Sequence, residues 1–276
     1  MRKNKNQNNF YYKIPIKFYF GAATVLIQEI IFFSKKNNLK RVYLNIISKN
    51  KVYKNYFKIL KYLNTNISIS FNKRIGNNSI NVQKKFKKKN VYDFDIINKL
   101  HILTNKFPLL NFKKSCYNKV KFTLKKKSIN IKKSVAIHIK INKYESKKKH
   151  INFWKKVINY FINKNYSVLI LSSDNKIIND LPKKKISIIN NKQIFFEPVL
   201  SQISKMFIGS ASGFCNFANF SNIPYLIIKH PKHHQYSIDK QIKNNKLIFA
   251  KKKQFLLRSL LSYNKISRYI EKIEKN

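Results

Sequence analysis

The strongest constraint on the fold is an alternation of apolar runs and helical patterns between residues 134 and 229. Short runs rich in Val, Ile and Leu are separated by stretches whose apolar residues recur three and four positions apart. We predict strands at 135–139, 166–171, 186–189, 206–208 and 223–228, and helices at 151–163, 174–181, 198–204, 214–220, 255–263 and 266–273. Strands that alternate with helices in this way form a parallel sheet with right-handed crossovers.

The first part of the chain repeats this alternation more weakly. The patterns predict a loose tail over residues 1–9, strands at 14–20, 42–47 and 67–71, helices at 24–37, 53–63 and 91–103, a loop at 72–90, and a strand at 119–124. A lysine-rich run that ends at Ser128 is the expected boundary between domains 1–128 and 129–276. The predicted fold class is therefore α/β, with two Rossmann-like domains that face a cleft and contain parallel sheets.

The charge of the chain is extreme, because 59 basic residues face ten acidic ones and the net charge is +49. Arginine is rare within this set and is found only at Arg2, Arg41, Arg74, Arg258 and Arg268. A dedicated nucleic-acid binder keeps Arg for bidentate contacts, whereas a genome rich in A and T enriches Lys, Asn, Ile, Phe and Tyr without such selection. We interpret the charge as a solvated lysine-rich surface that attracts anionic nucleotides or anionic lipid headgroups.

Other bulk features argue against several classes of protein. Cys116 and Cys215 are the two cysteines, which predicts small core residues in a reducing compartment rather than a disulfide framework. No uninterrupted apolar run approaches the length of a membrane-spanning helix, and the N-terminal stretch has no clean cleavage site, so we expect a cytoplasmic protein. His230, His233 and His234 lack cysteine or carboxylate neighbours at metal-binding spacing, so no metal site is predicted.

The strongest local signal is a turn of small residues at 209–213, where an apolar strand runs into a helical pattern. Such a turn brings backbone N–H groups and a helix N-terminus to the carboxyl edge of a parallel sheet, where phosphates bind. Gly209 and Gly213 permit close approach of the backbone, while Ser210 and Ser212 supply hydroxyl donors. The spacing fits neither a Walker loop nor the dinucleotide fingerprint. The alternative is a tight turn with a serine N-cap and no ligand.

His138 and Lys140 lie near the end of the predicted strand 135–139. Side chains alternate along a strand, so we expect both to point the same way and to suit a pyrophosphate or a departing nucleoside diphosphate. The alternative for His138 is a hydrogen-bonded core histidine.

Further candidates share the predicted carboxyl edges. Ser173 and Asp174 end the following strand, with helix capping as the alternative. Glu197 opens a helix and can accept from ribose or base hydroxyls, or simply complement the helix dipole. Gly21 begins the small-residue turn of the first half, with plain helix packing as the alternative.

Residues 134–230 resemble the donor domain of the fucosyltransferase-like glycosyltransferases, a superfamily with α1,6-, α1,2- and protein O-fucosyltransferases and related bacterial enzymes. The segments that carry the resemblance are His138-Ile139-Lys140, Ser173-Asp174-Asn175, Glu197 to Lys205, and Gly209-Ser210-Ala211-Ser212-Gly213. The loop from Gly21 to Glu29 is similar in kind to the Gly-rich loop that opens those enzymes. Lys140 stands where the family has Arg, and Lys offers a point charge without the bidentate fork.

The resemblance implies a GT-B type enzyme that transfers a sugar, fucose among the candidates, from a nucleotide-diphosphate donor to a glycan or glycolipid acceptor. It implies no metal and no cofactor beyond that donor, a setting in cell-envelope polysaccharide synthesis, and a first domain on the acceptor side. Lys140 and His138 would be catalytic, the 209–213 turn would bind the phosphates or the sugar, and Asp174 and Glu197 would contact the nucleoside.

Two other functions remain open at this point. A heptosyltransferase-like enzyme of lipopolysaccharide assembly has the same two-domain architecture but is expected to carry Gly-Asp in the first loop, where Gly21 is followed by Ala22. A non-catalytic basic RNA-binding protein would bind RNA with a steep dependence on salt, through lysines and interleaved aromatic residues.

Overall fold

The structure is a computed structural model that describes residues 7–14, 20–85, 95–171, 179–182, 186–189, 193–232 and 242–275. The chain divides into two compact units, Met1–Lys113 and Lys114–Asn276. Each unit contains a parallel sheet, so the predicted α/β fold class is confirmed. No helix within these described ranges is long and apolar enough to cross a bilayer.

The first unit is a four-stranded parallel sheet with helices between its strands. Its elements are β1 (Gln7–Lys13), α1 (Phe20–Lys36), β2 (Arg41–Ile47), α2 (Lys51–Tyr56), a 3-10 helix (Phe57–Tyr62), β3 (Ile67–Phe71), β4 (Ile80–Asn81), α3 (Val82–Lys85) and α4 (Asp95–Thr104). The strand order is β3-β2-β1-β4, so the chain turns outward in both directions from β1. This order is that of the first strands of a doubly wound sheet.

Two predictions for the start of the chain are wrong. The strand β1 begins at Gln7, inside the predicted loose tail, because Phe10 and Tyr12 alternate into the core and are each 1% exposed. Of the strand predicted at 14–20, residues 15–19 lie outside the described residues and Phe20 already belongs to α1. The small residues at 21–23 do not form a turn, because α1 already begins at Phe20 and buries Gly21 in its first turn. The loop predicted at 72–90 likewise contains the short elements β4 and α3.

The second unit is a six-stranded parallel sheet. Its elements are α5 (Lys114–Lys126), a 3-10 helix (Ile131–Lys133), β5 (Ser134–His138), α6 (Lys147–Asn163), β6 (Ser167–Leu171), β7 (Ile186–Ile189), α7 (Phe196–Ile203), β8 (Met206–Ser210), a 3-10 helix (Gly213–Cys215), α8 (Asn216–Asn219), β9 (Tyr225–Lys229), the two-residue strands β10 (Ile242–Lys243) and β11 (Lys246–Leu247), β12 (Gln254–Arg258) and α9 (Tyr263–Glu274).

The strands of this sheet lie in the order β12-β9-β8-β5-β6-β7, and all neighbouring pairs are parallel. Counted from β5 as the first strand, the order is 3-2-1-4-5-6, that of the doubly wound dinucleotide-binding sheet. The central strands β5, β8 and β9 are buried along their whole length, as expected for a sheet covered on both faces. One face packs α6 and α9 over a single core, in which Trp154, Ile208 and Ile270 are each 0% exposed.

Two elements of the second unit differ in type from the prediction. Residues 119–124 belong to α5, because Cys116, Val120 and Leu124 recur four residues apart and are buried together. Residues 254–258 form the edge strand β12 rather than a helix, and Gln254 fixes its start by donating to the carbonyls of Ser221 (2.8 Å) and Ile223 (3.0 Å).

The division between the units falls before α5, whereas the lysine-rich run suggests a boundary near residue 128. Helix α5 packs on α7, and Tyr117 donates to the Gln202 side chain at 2.9 Å. The helix therefore belongs to the core of the second unit, although its exposed face is as rich in lysine as a linker.

Candidate functional site

The most distinctive place in the second unit is the carboxyl edge between β5 and β8. These strands are neighbours, with His138 opposite Gly209, yet the chain continues from β5 toward β6 and from β8 toward β9. The two following connections therefore diverge at the ends of these strands. In open α/β sheets this topological switch point is where ligands bind. Six predicted site residues lie here: His138, Lys140, Gly209, Ser210, Ser212 and Gly213.

His138 ends β5 and is buried, with only 6% of its surface exposed. Its Nε2 lies 3.0 Å from the hydroxyl of Ser212, in the turn after β8. Its ring stacks on Phe214, with centroids 4.8 Å apart and planes inclined by 27°. His138 therefore joins the end of β5 to the turn after β8.

The charge state of His138 follows from its surroundings. Burial and the nearby Lys140 charge lower its pKa to about 4, against the opposing effect of a backbone hydrogen bond with Leu171. The imidazole is neutral at pH 7. The Ser212 hydroxyl accepts from the Phe214 N–H at 3.2 Å, and the tautomer of His138 sets which atom donates between Ser212 Oγ and Nε2.

Ser210 and Lys140 connect the two strand ends. The Lys140 N–H donates to the Ser210 hydroxyl oxygen at 3.2 Å. Because the oxygen accepts in this bond, the Ser210 hydroxyl can still donate its own proton to an anion. The side chain of Lys140 is exposed, unlike that of His138, because β5 ends at His138 and strand alternation does not extend to residue 140.

The charge of Lys140 is not neutralised within the described part of the second unit. The ion pairs between described residues are Lys147 with Asp180, Lys149 with Glu145 and Lys164 with Glu274. The Lys140 ammonium is thus a solvated cation beside a turn that offers hydroxyl and N–H groups. This arrangement suits a diphosphate.

Gly209 has a structural role that its residue type alone does not reveal. A Cβ atom at this position would lie 2.9 and 3.0 Å from ring atoms of Phe207 and 3.3 Å from the carbonyl oxygen of His138. Phe207 is itself 0% exposed, so its ring has no room to move. The glycine therefore permits close packing within the protein, whether or not a ligand also approaches it.

The remainder of the turn is held by local hydrogen bonds. Ser212 caps the 3-10 helix that begins at Gly213. Cys215 donates its thiol proton to the Ser210 carbonyl at 3.1 Å, and burial raises the pKa of this thiol to about 11. Cys215 is therefore an inert core residue, as predicted, and Cys116 is buried as well.

The remaining predicted site residues lie on other elements or outside the described residues. Glu197 is the second residue of α7 and is half-buried, so it lies in a helix N-terminal turn as predicted. Gly21 accepts the Thr24 hydroxyl at 2.8 Å inside α1 of the first unit. Ser173 and Asp174, together with His233 and His234, lie outside the described residues.

A second polar cluster at the same sheet edge was not predicted. Glu145, with a side chain 3% exposed, accepts from the Lys149 ammonium at 2.6 Å and from the Leu261 N–H at 3.2 Å. Burial would raise the pKa of Glu145, but the hydrogen bonds from Lys149, Leu261 and Asn142 outweigh it and lower the pKa. Tyr144 stacks on buried His230, with ring centroids 4.9 Å apart. Acidic residues are rare in this sequence, and that rarity would have identified Glu145 as a candidate site residue, as it did Glu197.

This cluster fixes the loop after β5. The loop is joined to the segment after β12 through Leu261, to the end of β9 through His230, and to α6 through the Asn142 N–H, which donates to the buried His150 at 3.3 Å. Lys140 is therefore the start of an anchored loop. Among the described residues, no three His, Cys, Asp or Glu side chains converge as metal ligands.

Solved structures share this fold. Over its whole length the chain superposes on 92% of a glycosyl transferase family 9 protein from Veillonella parvula, with a TM-score of 0.60 and 11% identity. Over 95% of its length it superposes on 99% of the E. coli heptosyltransferase WaaC with ADP-2-deoxy-2-fluoro heptose, with a TM-score of 0.59 and 7% identity. No protein-family model and no curated protein sequence matches the chain.

The resemblance to fucosyltransferases is not confirmed in its specific form. The fold is the one shared by the family 9 and heptosyltransferase structures, which are GT-B type glycosyltransferases. The broader prediction of a glycosyltransferase fold of this type is confirmed.

Proposed function

We propose that this protein is a glycosyltransferase that binds a nucleotide-diphosphate sugar at the β5–β8 switch point of its second unit. One observation carries the proposal: the turn of small residues after β8 is joined to the end of β5, where the Lys140 N–H donates to the Ser210 hydroxyl and the Lys140 side chain is exposed. The fold shared with glycosyltransferase structures supports the same function.

The donor favoured by the comparisons is an ADP-heptose rather than a nucleotide-activated fucose. E. coli WaaC is described in complex with ADP and with ADP-2-deoxy-2-fluoro heptose, at TM-scores of 0.57 and 0.59. The heptosyltransferase-like alternative is thus preferred. The acceptor in this proposal is a glycan or glycolipid at the cytoplasmic face of a membrane.

The proposed roles follow the contacts at the turn. The Lys140 ammonium and the Ser210 hydroxyl bind the diphosphate and stabilise the negative charge that grows on it as the glycosidic bond breaks. His138 does not reach the donor, because it is buried under Phe214 and hydrogen-bonded to Ser212. It acts as a positioning residue that fixes the Ser212 hydroxyl. Glu197 and Asp174 remain proposed contacts of the nucleoside, and no metal or cofactor takes part.

The test is a titration of the purified chain with ADP, ADP-heptose, GDP, GDP-fucose and UDP, followed by calorimetry and thermal shift. We expect ADP and ADP-heptose to bind and stabilise the protein. Lys140→Ala should weaken binding by about tenfold or more, since a hydrogen bond to a charged group contributes about 1.5–3 kcal/mol. Lys156→Ala, which removes an equally exposed charge from α6, is the matched control and should leave binding unchanged.

Several outcomes would contradict the proposal. Failure of every nucleoside diphosphate to bind at millimolar concentration would exclude a donor site. Preference for GDP and GDP-fucose would indicate that the donor is a nucleotide-activated fucose rather than ADP-heptose. Stabilisation by RNA that fades as salt rises, with no response to diphosphates, would favour the basic RNA-binding alternative.

A further inference from the structure

An unusual surface of the first unit lies on α4. Ile102 and Leu103 are the most exposed large apolar residues of the described chain, at 67% and 69%. They are adjacent, they are aliphatic, and they lie near the end of a helix rather than in a loop. Scattered exposed apolar residues are common, whereas two neighbouring ones on one helix face indicate contact with something apolar.

Helix α4 has two apolar faces. Ile97 and Leu100 are buried on the side that packs against α1. Ile102 and Leu103 lie on the opposite side, in one stripe with Lys99 one turn before them. The outward face of a helix on a globular domain is ordinarily polar. The outward face of α4 is aliphatic and flanked by lysine instead.

The charges around this stripe indicate what kind of partner it contacts. Lys99 and Lys106 are exposed on either side of Ile102 and Leu103, and no ion pair of the described residues involves them. An aliphatic centre between lysines matches a bilayer with anionic lipids, because aliphatic side chains enter the acyl boundary while ammonium groups stay among the headgroups. A protein partner of this shape would need an acidic rim as well as an apolar groove.

We propose that the outward face of α4, formed by Lys99, Ile102 and Leu103, inserts into the surface of anionic membranes together with Lys106, which follows the helix. The sequence predicted that the lysine-rich surface attracts anionic lipids, and this proposal names the residues that would contact them. The proposal is independent of the donor site, since all four residues lie in the first unit and the donor site lies in the second.

The experiment is co-sedimentation of the full-length chain with vesicles of phosphatidylcholine alone and of phosphatidylcholine with phosphatidylglycerol. We expect binding to the anionic vesicles only. The double variant Ile102→Ser with Leu103→Ser should weaken binding by roughly tenfold or more, because the aliphatic area can no longer be buried. Lys99→Gln and Lys106→Gln should each weaken it about fivefold. Phe122→Ser, an aromatic residue 60% exposed beside Lys126 on α5, is the matched control and should have no effect.

Fluorescence provides a direct test of insertion. The chain has one tryptophan, Trp154, which is 0% exposed and should not respond to vesicles. In a Leu103→Trp variant, emission should shift to the blue on addition of anionic vesicles, while a Phe122→Trp variant should not change. Equal sedimentation of the native chain and the double serine variant, or an unshifted emission of the Leu103→Trp variant, would overturn the proposal. Equal binding to neutral vesicles would do the same.

Discussion

At the scale of the residue, the turn at 209–213 shows how packing and ligand binding can require the same side chains. Gly209 makes room for Phe207 and for the His138 carbonyl, and Ser212 caps a helix while it contacts His138. Two of the alternatives weighed from the sequence, a serine cap and a hydrogen-bonded core histidine, are therefore observed. Neither excludes a phosphate at the turn, because the Lys140 side chain beside it is exposed and the Ser210 hydroxyl still has a proton to donate.

Gly209→Ala should destabilise the protein by about 1–3 kcal/mol, the usual cost of forcing a methyl group into a packed core. The added Cβ would meet the Phe207 ring at 2.9 Å. Urea unfolding of the whole chain measures this change. Gly76→Ala is the control, since its Cβ would meet only the Ser79 hydroxyl, at 3.7 Å. An unchanged unfolding midpoint for Gly209→Ala, with loss of ADP binding, would show that the glycine serves the ligand instead.

His138 should make the stability of the protein depend on pH. Its pKa is about 4 in the folded state and 6.5 when unperturbed, so the unfolded chain takes up a proton first as the pH falls. The contribution of neutral His138 to the free energy of unfolding is fully present above pH 6.5. It is lost progressively as the pH falls toward 4, by about 3 kcal/mol in total. His138→Gln removes this titration. The free energy of unfolding of the variant should therefore fall less steeply than that of the native chain between pH 6.5 and 4, and parallel curves would contradict the assignment.

At the scale of the element, helix α6 is specified by strong local signals. Its core residues Phe153, Trp154, Val157, Ile158 and Phe161 recur at helical spacing, and all are buried as predicted. The structure adds four residues to its start, where Ser146 accepts from the Lys149 N–H at 3.2 Å. Three lysines in the first turn oppose the helix dipole, so the cap is needed at that end.

Ser146→Ala should reduce the free energy of unfolding by about 1 kcal/mol, the typical contribution of an N-cap side chain. The chain offers a matched control in Ser262, the N-cap residue of α9, whose side chain makes no capping hydrogen bond. Ser262→Ala should therefore have little effect. Equal losses in the two variants, measured by thermal unfolding, would show that the Ser146 hydroxyl does not act as a cap.

At the scale of the whole molecule, the two units differ in how completely the sequence specifies them. The second sheet has six parallel strands with a core on either face, whereas the first has four strands, one of which is only two residues long. Helix α5 belongs to the second unit through Cys116, Val120 and Leu124, although it precedes the predicted boundary.

The position of the boundary can be tested with two fragments. A fragment of residues 114–276 should fold cooperatively and retain binding of ADP. A fragment of residues 129–276 lacks α5 and loses the burial of Val120 and Leu124, which is about 3–6 kcal/mol at about 1.5–3 kcal/mol for each side chain. This loss is comparable with the whole stability of a small domain. Circular dichroism and thermal melts compare them, and equal stability would place the boundary at residue 128 after all.

The sequence by itself determined the α/β class, the strands and helices of the second unit at 134–171 and 186–229, and the candidate turn at 209–213. These features follow from local periodicity and turn chemistry, which are encoded within a few residues. Where the periodicity was ambiguous, as at 119–124 and 254–258, the type of element depended on which neighbour covered it. An apolar run of five or six residues fits a strand or a helix equally well until its partner is known.

Only the tertiary structure decided how distant segments meet. It placed β8 beside β5, so that Ser212 and His138, far apart in the chain, are 3.0 Å from each other. It brought Glu145 to Leu261 and Tyr144 to His230, contacts for which no local pattern exists. It also turned Ile102 and Leu103 outward, although their spacing is that of an ordinary helix. Strand order and helix orientation arise from burial of the whole core, and this global property cannot be read from any single segment.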